Sequence, residues 1–420
     1  MTTAAVERKA GSATYTRILG EIHDLLPDLT ARATRTEELR KLPDETVSDL
    51  KTANLFSCFS PKHYGGLELD WAHIADFTMT LGTACGSSSW IVTASAAHNM
   101  LLGRFPEKAQ DDVYSKGPEI IVSMALAGEG QLVRKGNNYI LHGRWQFASG
   151  IDHADWVIVG VKTEEMDPSG RNRFYWILVD SHKVTIHDTW RAIGLRGTGS
   201  NDIEVTNLSI PEHHVLASDE CDQALPPGAA LHSSYIYRVE YFHYFRACLI
   251  GPILGVTRGA LQAYVHQTRG RIGRIASERV VDQLPVQVKI SESAAELRAA
   301  ELLGRYLRDT LADRGRQGTL RLSAVDRVAL NRDLPHMARL CNQSVDRLAG
   351  MMGASGIGES NSVHRLRGDL TAMSAHGAMQ WERYLAPYGQ WVFGVPSGDP
   401  VIDREPGEPG MEDFFLRGKS

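Results

Sequence analysis

Residues 144–156 read RWQFASGIDHADW. Large rings stand on both sides of a small Ala-Ser-Gly turn, and Gly150 lets the chain turn where a Cβ would clash. Outward from this turn, the neighbouring runs are short and rich in β-branched and aromatic residues: NNYILHGRWQF, ADWVIVGVKT, RFYWILVD, KVTIHDTW and NDIEVTNLSI. Asn137-Asn138 and Asp167-Pro168-Ser169-Gly170 are turn signals between them. No helical pattern interrupts these runs, so residues 118–218 read as an antiparallel sandwich or barrel.

Further out the period changes from two to about 3.6 on both sides. In residues 1–117, YTRILGEIHDLLPDL places Ile18, Ile22, Leu25 and Leu26 on one helical face. LPDETVSDLKTANLF predicts a helix after Pro43, with Asp44 as N-cap and Val47, Leu50 and Leu55 as its apolar face. Gly65-Gly66 marks a loop. The stretch WAHIADFTMTLGTACGSSSWIVTASAAHNMLLGRF is helical with a break near Gly86, and its many small residues suit close approach of a second backbone or a flat ligand. In residues 219–394, FRACLIGPILGVTRGALQAYVHQT is apolar almost all round, as a helix buried in a bundle is. LPVQVKISESAAELRAAELLGRYLRDTLADR carries Pro285 near a helix start. Two further helical patterns follow, and residues 395–420 form a Pro-, Gly- and charge-rich tail, read as an extended arm or as disorder.

Composition excludes several classes. With 43% hydrophobic and 23% charged residues and a net charge of −5 over 420 residues, nothing points to nucleic acid or an anionic membrane as partner. Five scattered cysteines without a CxxC pair fit a reducing compartment. MTTAAVERKAGSATYTR carries charge where a signal peptide needs an apolar core, and no run of 18 uncharged apolar residues occurs. A cytoplasmic protein is expected. GMMGASGIG follows a helical pattern rather than a strand, so its glycine spacing does not make a nicotinamide-binding fold. No GxxxxGK[ST], HExxH or GxSxG occurs, and the sixteen histidines show no paired spacing, so no metal site is expected.

Helices, then a β-block, then a helical bundle is the order of the acyl-CoA dehydrogenase fold, and longer motifs sharpen the resemblance. GLRGTGSNDIEVTNLSIPEHHV resembles that fold's β-domain exit. RGRIGR with QLPVQVKISESAAEL resembles its arginine motif and interface helix, and LAGMMGASGIGESNSVHRLRGDL its glycine-bearing loop and following helix. The match runs over residues 19–386. Within that fold, GRWQFASGIDHADWVIVG is most similar to the oxygenase components of two-component flavin monooxygenases, of the p-hydroxyphenylacetate, steroid-phenol, indole and dibenzothiophene types. The resemblance implies an α+β fold with an N-terminal helical domain, a central antiparallel β-domain and a C-terminal four-helix bundle. It also implies a homotetramer that takes reduced flavin, FADH2 before FMNH2, from a separate NAD(P)H:flavin reductase. With O2 as co-substrate, a C4a-hydroperoxyflavin would hydroxylate a small phenolic or indole-like aromatic. Other readings are a same-fold N- or S-oxygenase for an amino sugar or sulfur heterocycle, an acyl-CoA dehydrogenase-like enzyme, and a flavin-free binding or assembly protein.

In the resembling family the serine of the first motif sits by the flavin N5, which assigns that place to Ser149, with Trp145 and Phe147 as pocket walls. His153 reads equally as a site residue or as a cap for the next strand. His376, in TAMSAHGAM, suits a base that activates a phenol or indole, although a core or interface histidine has the same surroundings in sequence. No acidic residue lies between Leu370 and Trp381, against the α-proton removal that acyl-CoA dehydrogenation needs. His98 is a further substrate-side candidate, with Trp90 two turns earlier on the same face. By resemblance, Ser123, Met124, Arg196, Thr198 and Ser200 touch the flavin. Arg269 reaches the flavin phosphates of a neighbouring subunit, and Gly353, Ala354 and Ser355 allow its adenosine or phosphate to approach.

Overall fold

The computed structural model describes residues 3–168, 170–273, 277–358 and 360–404. Ser169 of the expected turn, Arg274 of RGRIGR and residues 405–420 of the tail lie outside the described residues, as does the side chain of Ser355. The N-terminal helices are α1 (Thr3–Leu39), α2 (Asp44–Thr52), α3 (His73–Gly82), α4 (Gly86–Leu102) and α5 (Glu107–Tyr114). Ile18 and Ile22 of α1 are fully buried, one turn apart, as the spacing requires. Asp44 is the first helical residue of α2 rather than its N-cap. Pro43 holds the cap position at φ −58° and ψ 145°, and no side chain caps the helix. Proline's fixed φ pre-sets the entry, and the Asp44 and Glu45 carboxylates then sit in the first turn, where the helix dipole favours them. The helix ends at Thr52, so Leu55 is buried from the following loop.

Among the described residues eight strands follow: β1 (Val122–Ala125), β2 (Ala127–Lys135), β3 (Asn138–Ala148), β4 (Trp156–Met166), β5 (Asn172–Asp180), β6 (Thr185–His187), β7 (Asn201–Pro211) and β8 (Val215–Ala217). They form two four-stranded sheets, ordered β1-β4-β5-β8 and β2-β3-β7-β6. The sheets are not wholly antiparallel, because β1 pairs with β4 in parallel. The chain leaves β1 into the second sheet for β2 and β3, then returns to lie beside β1 in the same direction. The β2–β3 turn falls at Gly136 and Asn137, one residue before the expected pair. Gly136 takes φ +63°, which suits a tight hairpin turn. Of KVTIHDTW only Thr185–His187 is strand. The remainder is a loop running to Ser200, and that loop builds the site.

The C-terminal helices are α6 (Ser218–Cys221), α7 (Tyr241–Ala247), α8 (Ile250–Thr268), α9 (Leu284–Arg316), α10 (Ala324–Gly350), α11 (Ser362–Ala375), α12 (Trp381–Phe393) and α13 (Pro400–Arg404). Tyr241–Thr268 is long and apolar enough to cross a bilayer, but 72% of its most apolar window is buried inside the protein. It is a core helix pair. Three glycines of α8, Gly251, Gly255 and Gly259, repeat every fourth residue and so share one face. That face lies against the backbone of α3 and the turn after it. A Cβ on Gly255 would sit 2.3 Å from the Met79 carbonyl oxygen, and one on Gly259 2.4 Å from that of Thr83. The five cysteines are buried and free.

Two glycine-to-alanine substitutions should therefore move stability in opposite directions. Gly255→Ala forces α8 away from α3 and should lower the unfolding free energy by about 1–3 kcal/mol. Gly20→Ala in α1, where a Cβ meets nothing within 4 Å, should raise it by up to about 1 kcal/mol through helix propensity. Denaturant unfolding of both variants measures this, and equal shifts would refute the close packing.

Candidate active site

The loop from Trp190 to Ser200 is pinned to α11 by backbone contact. A Cβ on Gly194 would lie 1.9 Å from the Gly368 carbonyl. Next to this contact, Leu195 N–H donates to Asp369 Oδ1 at 2.7 Å, and Asp369 is buried at 1% exposure with Oδ2 unpartnered. Leu195 is held in the left-handed region at φ +51°. Its carbonyl accepts from Trp190 Nε1 at 2.9 Å and from Thr198 Oγ1 at 2.7 Å.

From that carbonyl a row of hydroxyls leads to Ser149. Thr198 Oγ1 lies 2.7 Å from Ser200 Oγ, which lies 2.8 Å from Ser149 Oγ. Trp90 Nε1 donates to Ser149 Oγ at 3.2 Å. A hydroxyl has one proton, an indole nitrogen only donates and a carbonyl only accepts. Thr198 spends its proton on Leu195, so Ser200 donates to Thr198 and Ser149 donates to Ser200. The direction runs one way from Trp90 to Leu195. Ser149 Oγ keeps a lone pair and no proton for a ligand. Ser123 Oγ steadies the same turn by donating to the Ser149 carbonyl at 2.9 Å, and Gly150 N–H donates to the Thr198 carbonyl at 2.7 Å with Gly150 at φ +75°.

Trp90 joins this row to two histidines. Its ring meets His376 edge-on at 5.4 Å, and Phe245 of α7 lies 6.4 Å from His376 and 6.2 Å from His98. His98 Nδ1 lies 2.6 Å from the Val122 carbonyl of β1. A carbonyl only accepts, so Nδ1 carries the proton and Nε2 is the bare nitrogen. His376 ends α11 and caps the next turn, its Nδ1 accepting from Ala378 N–H at 3.2 Å. Its neutral ring therefore carries the proton on Nε2. The two imidazoles present opposite tautomers.

The structure thus brings together Trp90, His98, Ser123, Ser149, Thr198, Ser200 and His376. Sequence reasoning missed Phe245, Arg246 and Asp369. Arg246 is buried and donates to the Ala378 carbonyl at 3.1 Å and to Asn331 Oδ1 at 2.5 Å, with its guanidinium 3.3 Å from the Tyr384 ring centroid. It braces the turn that His376 caps. The available signal was an arginine at the start of a mostly apolar helical run.

Several expected residues stand elsewhere. Trp145 is not a pocket wall. It is fully buried between the sheets, with Nε1 donating to the Gly160 carbonyl at 2.8 Å. Strand alternation would place Phe147 beside it, but a bulge between Trp145 and Ala148 and a φ of +68° at Phe147 turn that ring out. Phe147 is 55% exposed and meets Trp190 edge-on at 6.2 Å. Met124 is buried in β1, in register with Ile158. Arg196 faces Glu37 of α1. Burial, then the Asp369 carboxylate, push Glu37 up to about 7 against the pull of Arg365 and Arg196. Arg269 is exposed at the end of α8, and Gly353 and Ala354 are exposed after α10. Arg271 ties those two regions together through the Met351 carbonyl at 3.4 Å. His153 lies 2.8 Å from the Leu42 carbonyl, to which Nε2–H donates, a tie from the β-domain to the helical one.

Burial pushes His98, His376 and His232 each from 6.5 down to about 4. Folded and unfolded chains are both neutral at these rings above about pH 6.5. Between about pH 6.5 and 4 the unfolded chain binds protons that the folded chain refuses, so stability falls as pH falls. The melting temperature should drop steadily through that window, and His232→Gln should flatten the slope. A slope unchanged by that substitution would refute the assignment to buried histidines.

The chain is similar to known proteins in sequence and in overall fold. The family model for the acyl-CoA dehydrogenase C-terminal domain matches residues 247–381. The chain is 32% identical over 390 residues to the oxygenase subunit of a flavin-dependent monooxygenase of Mycobacterium tuberculosis, covering 92% of this chain and 97% of that protein. It is 28% identical to the oxygenase component of an FADH2-dependent resorcinol hydroxylase of a Rhizobium species, over 91% of this chain and 96% of that protein. The crystal structure of a 3-HSA hydroxylase from a Rhodococcus species superposes with a TM-score of 0.84 at 27% identity, covering 90% of this chain and 97% of that one. Matching such proteins in sequence and fold over 90–92% of its length, the chain belongs to the oxygenase components of flavin-dependent monooxygenases on the acyl-CoA dehydrogenase fold.

Proposed function

We propose that this enzyme hydroxylates a small phenolic substrate, with His98 taking the phenolic proton and His376 donating a hydrogen bond to the oxygen left behind. The observation that carries this reading is the pair of opposite tautomers on either side of Phe245. His98 Nε2 is an acceptor held ready by Val122, and His376 Nε2–H is a donor held ready by Ala378. This departs from the sequence reading, which gave His376 the base role. A base at Nε2 of His376 would need the proton on Nδ1, facing the Ala378 N–H.

The residues also fit a reduced flavin. Phe147, whose ring meets Trp190 of the site loop, and Ile193 of that loop stand 55% and 78% exposed, apolar surface of the kind that marks a binding site. Ser149 Oγ offers a lone pair, and reduced flavin carries an N–H at N5 where oxidised flavin carries only a lone pair. When bound, reduced flavin supplies the activation of O2. Around it Ser149 Oγ would accept from the N5 N–H, Trp90 and Phe245 would exclude water, and His98 and His376 would hold the substrate. FADH2 rather than FMNH2 is favoured by the name of the resorcinol hydroxylase, and "oxygenase component" in that name supports a separate NAD(P)H:flavin reductase. Exposed apolar residues along α9, Leu284, Val288, Leu302 and Tyr306, support a homotetramer, with Arg269 reaching a neighbouring subunit. A cytoplasmic setting suits the five free thiols.

With reductase, NADH and a phenol, His98→Ala should cut hydroxylation by about 10²–10⁴-fold while NADH is still consumed. His376→Ala should raise the substrate KM about tenfold with a smaller effect on kcat, the worth of one hydrogen bond. Loss of hydroxylation in His376→Ala with retention in His98→Ala would overturn the assignment.

Ser149→Ala tests the cofactor reading by binding alone. Anaerobic titration should show the preference for reduced over oxidised flavin narrowed by roughly tenfold or less, about 1 kcal/mol. An unchanged preference returns Ser149 to a turn residue.

A further inference from the structure

A second cluster of side chains lies outside the site. Asp112 stands on α5, and His213 and His214 occupy the short turn between β7 and β8. Both histidines donate Nε2–H to one oxygen, Asp112 Oδ2, each at 2.9 Å. Their ligand atoms and that of Asp112 all lie within 4.8 Å of one another. The two rings meet edge-on at 4.6 Å, and Trp156 holds the His214 ring edge-on at 5.5 Å. Two imidazoles from adjacent residues thus converge on one carboxylate that lies 101 and 102 residues away in sequence. That separation is why pair spacing gave no metal signal.

Two imidazole nitrogens and a carboxylate oxygen are a ligand set for first-row divalent ions, zinc above all. We propose that Asp112, His213 and His214 bind a divalent transition-metal ion of the Zn2+ type, which clips α5 to the turn before β8. Each ring then moves its proton from Nε2 to Nδ1 and gives the Nε2 lone pair to the ion, so both imidazoles stay neutral. The Asp112 side chain is 44% exposed, which leaves water free to complete the coordination. The Trp156 ring beside His214 limits its reorientation, so little ordering remains for the ion to impose.

The test uses the full chain, stripped with a chelator and titrated with Zn2+ by calorimetry. One equivalent should bind, and the melting temperature should rise with Zn2+ concentration. His213→Gln and His214→Gln keep an N–H donor for Asp112 and lose the ring ligand. Each should weaken binding by at least about tenfold, the least that lost support costs in metal sites, and the double variant should lose the stoichiometric binding. Absence of a one-equivalent isotherm in the wild type overturns the proposal, as does equal affinity in the double variant. If the double variant fails to fold, His213→Gln decides on the same criterion.

Discussion

The site depends on one hydrogen bond, from Leu195 N–H to the buried Asp369 carboxylate. A hydrogen bond contributes roughly 1 kcal/mol, and more is lost if a buried acceptor is left bare. This one fixes a backbone position that the rest of the loop inherits. Leu195 is held left-handed, its carbonyl gathers Trp190 and Thr198, and Thr198 leads on to Ser200 and Ser149. The same helix α11 that supplies Asp369 ends in His376. Ser149 and His376 are therefore referred to one helix. Gly194 and Gly368 are glycine because no Cβ fits where the loop meets it.

Apolar walls make these few polar contacts strong. Phe245 borders both histidines and Trp90 borders His376, and burial holds both rings neutral well below the usual histidine range. A neutral imidazole must choose which nitrogen carries its proton. Here the choice is made by backbone groups of β1 and of the turn after α11, not by other titratable side chains. A low-dielectric setting strengthens each such bond.

Much of this was legible in the sequence because periodicity reports burial directly. Most period-two runs are strands and most period-3.6 runs are helices, and Trp90 lies against both Ser149 and His376, with Phe245 between His376 and His98. What stayed hidden was set by the backbone or by distant partners. The bulge that sends Trp145 inward and Phe147 outward leaves no trace in alternation, since both are aromatic. The parallel β1–β4 pair depends on a crossing between sheets. Asp369 and Arg246 act on Leu195 and Ala378, 174 and 132 residues away. The tautomers of His98 and His376 follow only from which backbone atom each ring meets.

The row of hydroxyls beside Ser149 also behaves as an insulator. A proton wire works by passing a proton in at one end and releasing one at the other, with every hydroxyl turning over in between. This row ends in an indole N–H at Trp90 and an amide carbonyl at Leu195, and neither exchanges a proton near neutral pH. Turning the row over would take the Thr198 proton away from the Leu195 carbonyl and set two oxygens 2.7 Å apart with no proton between them. The row therefore stays oriented, and the deep carboxylates Asp369 and Glu37 are cut off from the serine although they lie only a loop away. Whatever binds at Ser149 therefore has no hydroxyl path along this row to the protons of those acids.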